Sequence, residues 1–306
     1  MMWKPIVVGV DGSRESGIAA GAAWLLAQAA GVACLPVHAT RDVRSADEFA
    51  STGIPFDALE LAMLRLARSE VVASLRSHVP TPVTESLVVR AGRTLSVLQE
   101  VIAQTDGQML VLGGKHHSAL GRWLGGSTVQ KAVRHLDLPL LITKGELRTR
   151  PRVLVAVDTS YAAPDTINEA ITFARLLGGP LHALHVVEPA VTVPDAISVP
   201  NPPDYDAWSR ERVQRDLWPL LPVPDQHKVI RRGPAVDTIT QEAAAWRADV
   251  IVVGSHGRGW IDRLLIGSVT EDLLNNLPAA VLVIPVPAPA GHEQMPSRLR
   301  VAAATT

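Results

Sequence analysis

Gly254-Ser255-His256-Gly257-Arg258-Gly259-Trp260-Ile261-Asp262-Arg263-Leu264-Leu265-Ile266-Gly267-Ser268 is the stretch that decides how this chain is built. It follows Asp249-Val250-Ile251-Val252-Val253 directly. A short apolar run rich in β-branched residues reads as a strand buried on both faces. Two glycines three apart then open a loop, and Ser268-Val269-Thr270-Glu271 has the form of a capping box that starts a helix. A strand that ends in a glycine loop and leads to a helix start bares backbone N–H groups where an anion can sit.

The chain nearly repeats this arrangement. Gln108-Met109-Leu110-Val111-Leu112 runs into Gly113-Gly114-Lys115-His116, and Gly126-Ser127 precedes Thr128-Val129-Gln130, a second capping-box pattern. Val7-Val8-Gly9-Val10-Asp11-Gly12-Ser13 corresponds to Leu154-Val155-Ala156-Val157-Asp158-Thr159-Ser160. Val37-His38-Ala39 corresponds to Leu184-His185-Val186, and Arg90-Ala91-Gly92 to Arg231-Arg232-Gly233. Landmarks repeated in one order establish a tandem duplication. A length of 306 residues agrees, since it is enough for two domains with their own cores.

Within each half, strands alternate with helices, which implies right-handed βαβ units and a parallel sheet covered on both faces. In the first half the strands are expected at Ile6–Val10, 32–39, 84–89, Met109–Leu112 and 138–143. Helices are expected over 16–30, 46–77, 94–104 and 127–135. The second half follows the same order and ends in a strand at 281–285. Its one irregular insert, 188–205, carries five prolines and reads as a loop. The polar join 144–151 divides the chain into domains at 1–146 and 147–288, with 289–306 expected as a flexible tail.

Composition excludes several function classes. A net charge of −1 speaks against a general nucleic-acid binder. No apolar stretch approaches the roughly 20 residues that span a bilayer, so no membrane partner is expected. The single cysteine, Cys34, rules out an internal disulfide framework and fits a reducing compartment. Met1-Met2-Trp3-Lys4-Pro5 runs straight into a strand, so no signal peptide is expected and the cytoplasm is the default location.

With these residues in place, the chain resembles the universal stress protein family in its tandem two-domain form. The ATP-binding members of that family carry G-x-x-G, nine residues, then G-S or G-T; Gly254, Gly257, Gly267 and Ser268 fit without a mismatch. The resemblance implies two doubly wound, flavodoxin-like α/β domains. Each would have a five-stranded parallel sheet ordered 3-2-1-4-5, with the ligand at the switch point between strands one and four. It implies ATP as the ligand, accompanied by Mg²⁺. Gly254 and Gly257, after Val253, let the chain pass close to phosphate. Gly267, Ser268 and Val269 offer N–H groups, and the Ser268 hydroxyl one more donor. Asp158 lies near the ribose or the divalent ion, and Val157 and Val186 flank the adenine. His256 or Arg263 reaches a phosphate.

In the first half Asp11, Gly113, Gly126 and Ser127 persist, but His116 stands where the second glycine belongs. If that position needs φ > 0, histidine is strained there. Lys115 and Arg122 supply positive charge. The first motif is therefore read as degenerate and the second as intact.

No phosphate loop of the G-x-x-x-x-G-K type, no G-x-S-x-G elbow and no H-E-x-x-H is present. The residues describe a binding site more than a reaction centre. Three functions stay open: an ATP-binding stress-response regulator, a stress-linked interaction module without nucleotide, and a slow ATPase. The apolar last strand of each half would be a sheet edge, and unpaired edges invite pairing. The two halves are expected to pair with each other as an intramolecular pseudo-dimer, with a homodimer of chains left open.

Overall fold

The computed structural model describes residues 4–42, 56–114, 128–188, 205–255 and 266–286. In the first half the strands are β1 (Ile6–Gly9), β2 (Cys34–Thr40), β3 (Val88–Ala91), β4 (Met109–Gly113) and β5 (Leu140–Thr143). The helices between them are α1 (Arg14–Ala30), α2 (Phe56–Leu75), α3 (Thr81–Glu85), α4 (Thr94–Thr105) and α5 (Thr128–His135). The second half continues with β6 (Val153–Val157), α6 (Ala163–Leu176), β7 (Leu181–Val187) and α7 (Tyr205–Arg212). It ends with β8 (Lys228–Arg232), α8 (Ala235–Trp246), β9 (Val250–Gly254), α9 (Ser268–Asn276) and β10 (Ala280–Ile284).

The ten strands among the described residues belong to one sheet, ordered β3-β2-β1-β4-β5-β10-β9-β6-β7-β8. The first half thus has the order 3-2-1-4-5, and the second half repeats it from the opposite edge. Pairing is parallel within each half. Where the halves meet, β10 runs antiparallel to β5, with Val281 opposite Ile142, Leu282 opposite Leu141 and Val283 opposite Leu140.

The period of two along each strand divides the core between the two faces. Ile6, Val8, Val111, Leu141, Val155, Val252 and Leu282 lie in a cluster with Ala19, Ala23 and Leu26 of α1 and Ile167 and Ala170 of α6. Val7, Leu110, Leu140, Leu154, Ile251 and Val283 form the other with Leu98 of α4, Val133 of α5, Ile239 of α8 and Leu273 of α9. Each cluster runs through both halves, so the core does not stop at the seam. Helices on both faces satisfy the doubly wound expectation.

The alanines of α1 explain how it lies flat on the sheet: Ala19, Ala20, Ala23 and Ala27 are fully covered. Ser13 caps it, its hydroxyl accepting from Ser16 N–H at 3.3 Å, and Gly31 ends it in the left-handed region at φ 68°.

One expected strand is corrected. Residues 84–89 were to form the third strand, but Thr84 and Glu85 belong to α3 and pairing begins at Val88. Pro80 caps α3 and a second proline, Pro82, sits in its first turn, where fixed φ suits a helix start. The β-branched Val83 and Thr84 mislead, because both face inward from a helix instead. The long helix expected over 46–77 spans Phe56–Leu75, and 46–55 lies outside the described residues. No helix among the described residues is long and apolar enough to cross a membrane.

Candidate functional site

The site is built where β6 and β9 lie side by side, the point at which the strand order of the second half reverses. Val153, Leu154 and Val155 pair with Val250, Ile251 and Val252. Carrying that register forward brings the turn after Val157 level with the loop after Gly254. Asp158 and Ser255 therefore leave the sheet at the same edge.

Ser255 knots this edge together. Its N–H donates to Ile284 O at 2.8 Å, its hydroxyl accepts from Val286 N–H at 3.0 Å, and its carbonyl accepts from Gly267 N–H at 3.0 Å. The Thr270 hydroxyl donates to Gly254 O at 2.7 Å. The chain that departs at Ser255 thus returns to it at Gly267, and α9 starts against the end of β9.

The helix start differs from the expected capping box. Gly267 is the cap residue, accepting from Glu271 N–H at 2.9 Å, and it has no side chain to cap with. Ser268 is the first helical residue and is exposed. Its hydroxyl is not spent on the cap. The first amides of a helix have no partner within it, so the N–H groups of Ser268 and Val269 face outward at the positive end of the dipole.

Asp158 is oriented by its own turn. Ser160 donates to Asp158 Oδ1 through its N–H at 3.0 Å and its hydroxyl at 2.7 Å. Asp11 repeats this with Ser13, whose N–H and hydroxyl also reach its Oδ1. Asp158 itself stays partly exposed. Next to it, Thr159 is 5% exposed and its hydroxyl has no partner among the described residues.

The structure brings Asp158, Gly254, Gly267, Ser268 and Val269 to one edge. His256, Gly257 and Arg263 lie outside the described residues, as do Lys115, His116, Arg122, Gly126 and Ser127 of the first half. Val253 is buried in the core. Val157 and Val186 are also buried, in clusters on opposite faces of the sheet, so their side chains do not share one slot. In the first half Asp11 follows the end of β1 by two residues and Gly113 ends β4, and the two strands are again neighbours. Gly113 has a packing reason to be glycine: a methyl group there would come within 2.7 Å of the Glu15 carbonyl at the start of α1.

Thr159, Ser160, Ser255 and Thr270 were not singled out from sequence. Ser160 did carry a signal, because Asp-x-Ser recurs in both halves and fits an Asx turn. His38 is a half-buried histidine and His185 a core one, both with partners. Each donates from Nδ1, to Val10 O and Val157 O respectively, at 2.8 Å.

The universal stress protein family model matches the chain twice, over residues 2–144 and 149–285. The chain belongs to the universal stress protein family. Two copies in tandem account for the duplicated sheet order and landmarks. It is similar to universal stress protein Rv2005c of Mycobacterium tuberculosis, 28% identical over 300 residues, covering 91% of this chain and 96% of that protein. A universal stress protein of Mycolicibacterium smegmatis is 29% identical over 221 residues, covering 68% of this chain and 70% of that one. Among solved structures, one from Pseudomonas aeruginosa UCBPP-PA14 described as a putative universal stress protein superposes with a TM-score of 0.61. It has 20% identity and covers 92% of this chain and 93% of that chain. That likeness concerns the fold.

Proposed function

We propose that the second half of this universal stress protein binds an adenine nucleotide, ATP with Mg²⁺, and that occupancy biases its conformation or its choice of partner. The observation that carries this reading is the Ser255–Gly267 knot, which sets the start of α9 against the end of β9 beside Asp158. The exposed Ser268 and the partly exposed Asp158 fit a polar ligand there.

The roles follow from chemistry. The N–H groups of Ser268 and Val269 and the Ser268 hydroxyl hold phosphate oxygens. Asp158, already aimed by Ser160, accepts from a ribose hydroxyl or ligates Mg²⁺ through its carboxylate. ATP supplies charge and shape to the site, and no general base is assigned to activate water, so binding rather than turnover is the reading. The first half is the weaker site, since His116 replaces the second loop glycine. The division into domains at 1–146 and 147–288 belongs to the same reading. So does an intramolecular pseudo-dimer, supported by the antiparallel pairing of β5 with β10.

Titration calorimetry with Mg²⁺-ATP tests it. The expected result is saturable binding near one equivalent per chain, weakened at least roughly tenfold in Asp158→Ala, as loss of a charge-assisted hydrogen bond requires. No binding by wild type would leave the interaction-module function. Phosphate release that Asp158→Ala abolishes would make the protein an ATPase.

A further inference from the structure

His185 connects α7 to the end of β6. It lies on β7, is fully buried, and is bonded at both ring nitrogens. Nδ1 is 2.8 Å from Val157 O, and Nε2 is 2.8 Å from the hydroxyl of Ser209 on α7. A carbonyl oxygen only accepts, so Nδ1 carries the proton. In the neutral ring Nε2 is then the acceptor, and the Ser209 O–H donates to it. Ser209 is itself fully buried. In that tautomer both hydrogen bonds run in one direction, from α7 toward β6.

The chain ends at a sensitive place. Val157 is the last residue of β6, and its carbonyl is bonded through the peptide unit to Asp158. At the other end, α7 is the first element described after the segment 189–204. It is tied to β8 by Arg232 and Asp206, 3.3 Å apart. It also presents Trp208, 46% exposed, with the Arg212 guanidinium 5.4 Å from its ring centre. A displacement of α7 withdraws the donor from His185, and a tilt of the ring pulls on the Val157 carbonyl. His38 holds Val10 O in the same way in the first half, but it is only half-buried.

We infer that His185 is a positioning residue: through Ser209 O–H···Nε2 and Nδ1–H···O Val157 it couples the placement of α7 to the Asp158 edge of the site. This rests on the nucleotide reading for its ligand.

The test uses the full chain with Ser209→Ala and Ser209→Thr. Long-range ¹H–¹⁵N spectra of the histidine rings give the first readout, independent of nucleotide. The expected wild-type signal for His185 is a neutral ring protonated at Nδ1; a ring protonated at Nε2 would overturn the hydrogen-bond chain. The second readout is Mg²⁺-ATP affinity. Ser209→Ala is expected to weaken it roughly threefold to tenfold, what loss of one neutral hydrogen bond costs. Ser209→Thr, which keeps the hydroxyl, is expected to restore it. Unchanged affinity in a folded Ser209→Ala would refute the coupling. If wild type binds no nucleotide, the ligand reading fails. The backbone ¹³C and ¹⁵N chemical shifts of Val157 and Asp158 then decide the coupling: shifts moved by Ser209→Ala and restored by Ser209→Thr uphold it, and shifts unmoved by Ser209→Ala reject it.

Discussion

Replacing Val283 with lysine strikes the seam between the halves. Val283 is 2% exposed and sits opposite Leu140 in the β5–β10 register, inside the cluster that also holds Ile142, Leu277 and Val281. Removing the valine forfeits about 1.5–3 kcal/mol of apolar burial. The ammonium group adds several kcal/mol unless it escapes to water or loses its proton. The sum is at least about 4 kcal/mol, a large part of the 5–15 kcal/mol that ordinarily separates folded from unfolded domains. At about 2–4 °C per kcal/mol for domains of this size, the melting temperature falls by roughly 10 °C or more. Val283→Ala, which leaves a cavity without a charge, should lose about 1–3 kcal/mol. Differential scanning calorimetry reads both, and size-exclusion elution reports any opening between the halves. A lysine variant that melts within about 2 °C of wild type and elutes with it would refute the reasoning, because the seam would then not be a packed core.

Further outcomes follow from single groups. Gly113→Ala pushes a methyl group against the Glu15 carbonyl and should cost about 1–3 kcal/mol in denaturant unfolding; an unchanged midpoint would show that α1 moves aside freely. Burial pushes the Cys34 thiol up to about 12, so a maleimide at pH 7.5 should label it only after unfolding, and rapid labelling of the native chain would contradict its burial. His182 stacks on Trp246 and lies 3.0 Å from Glu242. Burial lowers its pKa despite the opposing pull of that carboxylate. The unfolded chain then binds the extra proton first, so stability falls as pH drops through about 6.5 toward the lowered value. His182→Gln should flatten the change in urea midpoint between pH 7.5 and 5, and an undiminished slope would assign it to other groups.

Much of this architecture is readable in the residues because the duplication states it twice. Buried parallel strands such as Val250–Gly254 are unbroken apolar runs, and Asp-x-Ser and the glycine loops recur at matching places. The sheet order was carried by the family resemblance. Local chemistry was harder to read. Ser-x-x-Glu points to Ser268 as the cap, but the cap falls one residue earlier at Gly267, whose N–H is held by Ser255 O from the end of β9. The stretch 80–85 offers both a proline-started turn and a β-branched strand, and the prolines prevail. The His185–Ser209 bond joins residues on either side of the proline-containing insert, where neither period nor motif connects them.

The nucleotide content of the purified chain, released by denaturation and resolved by chromatography, addresses the second-half site most directly. About one equivalent of adenine nucleotide per chain is the expected result, from an intact second motif and a degenerate first. No nucleotide, together with no calorimetric binding of added Mg²⁺-ATP, would contradict it.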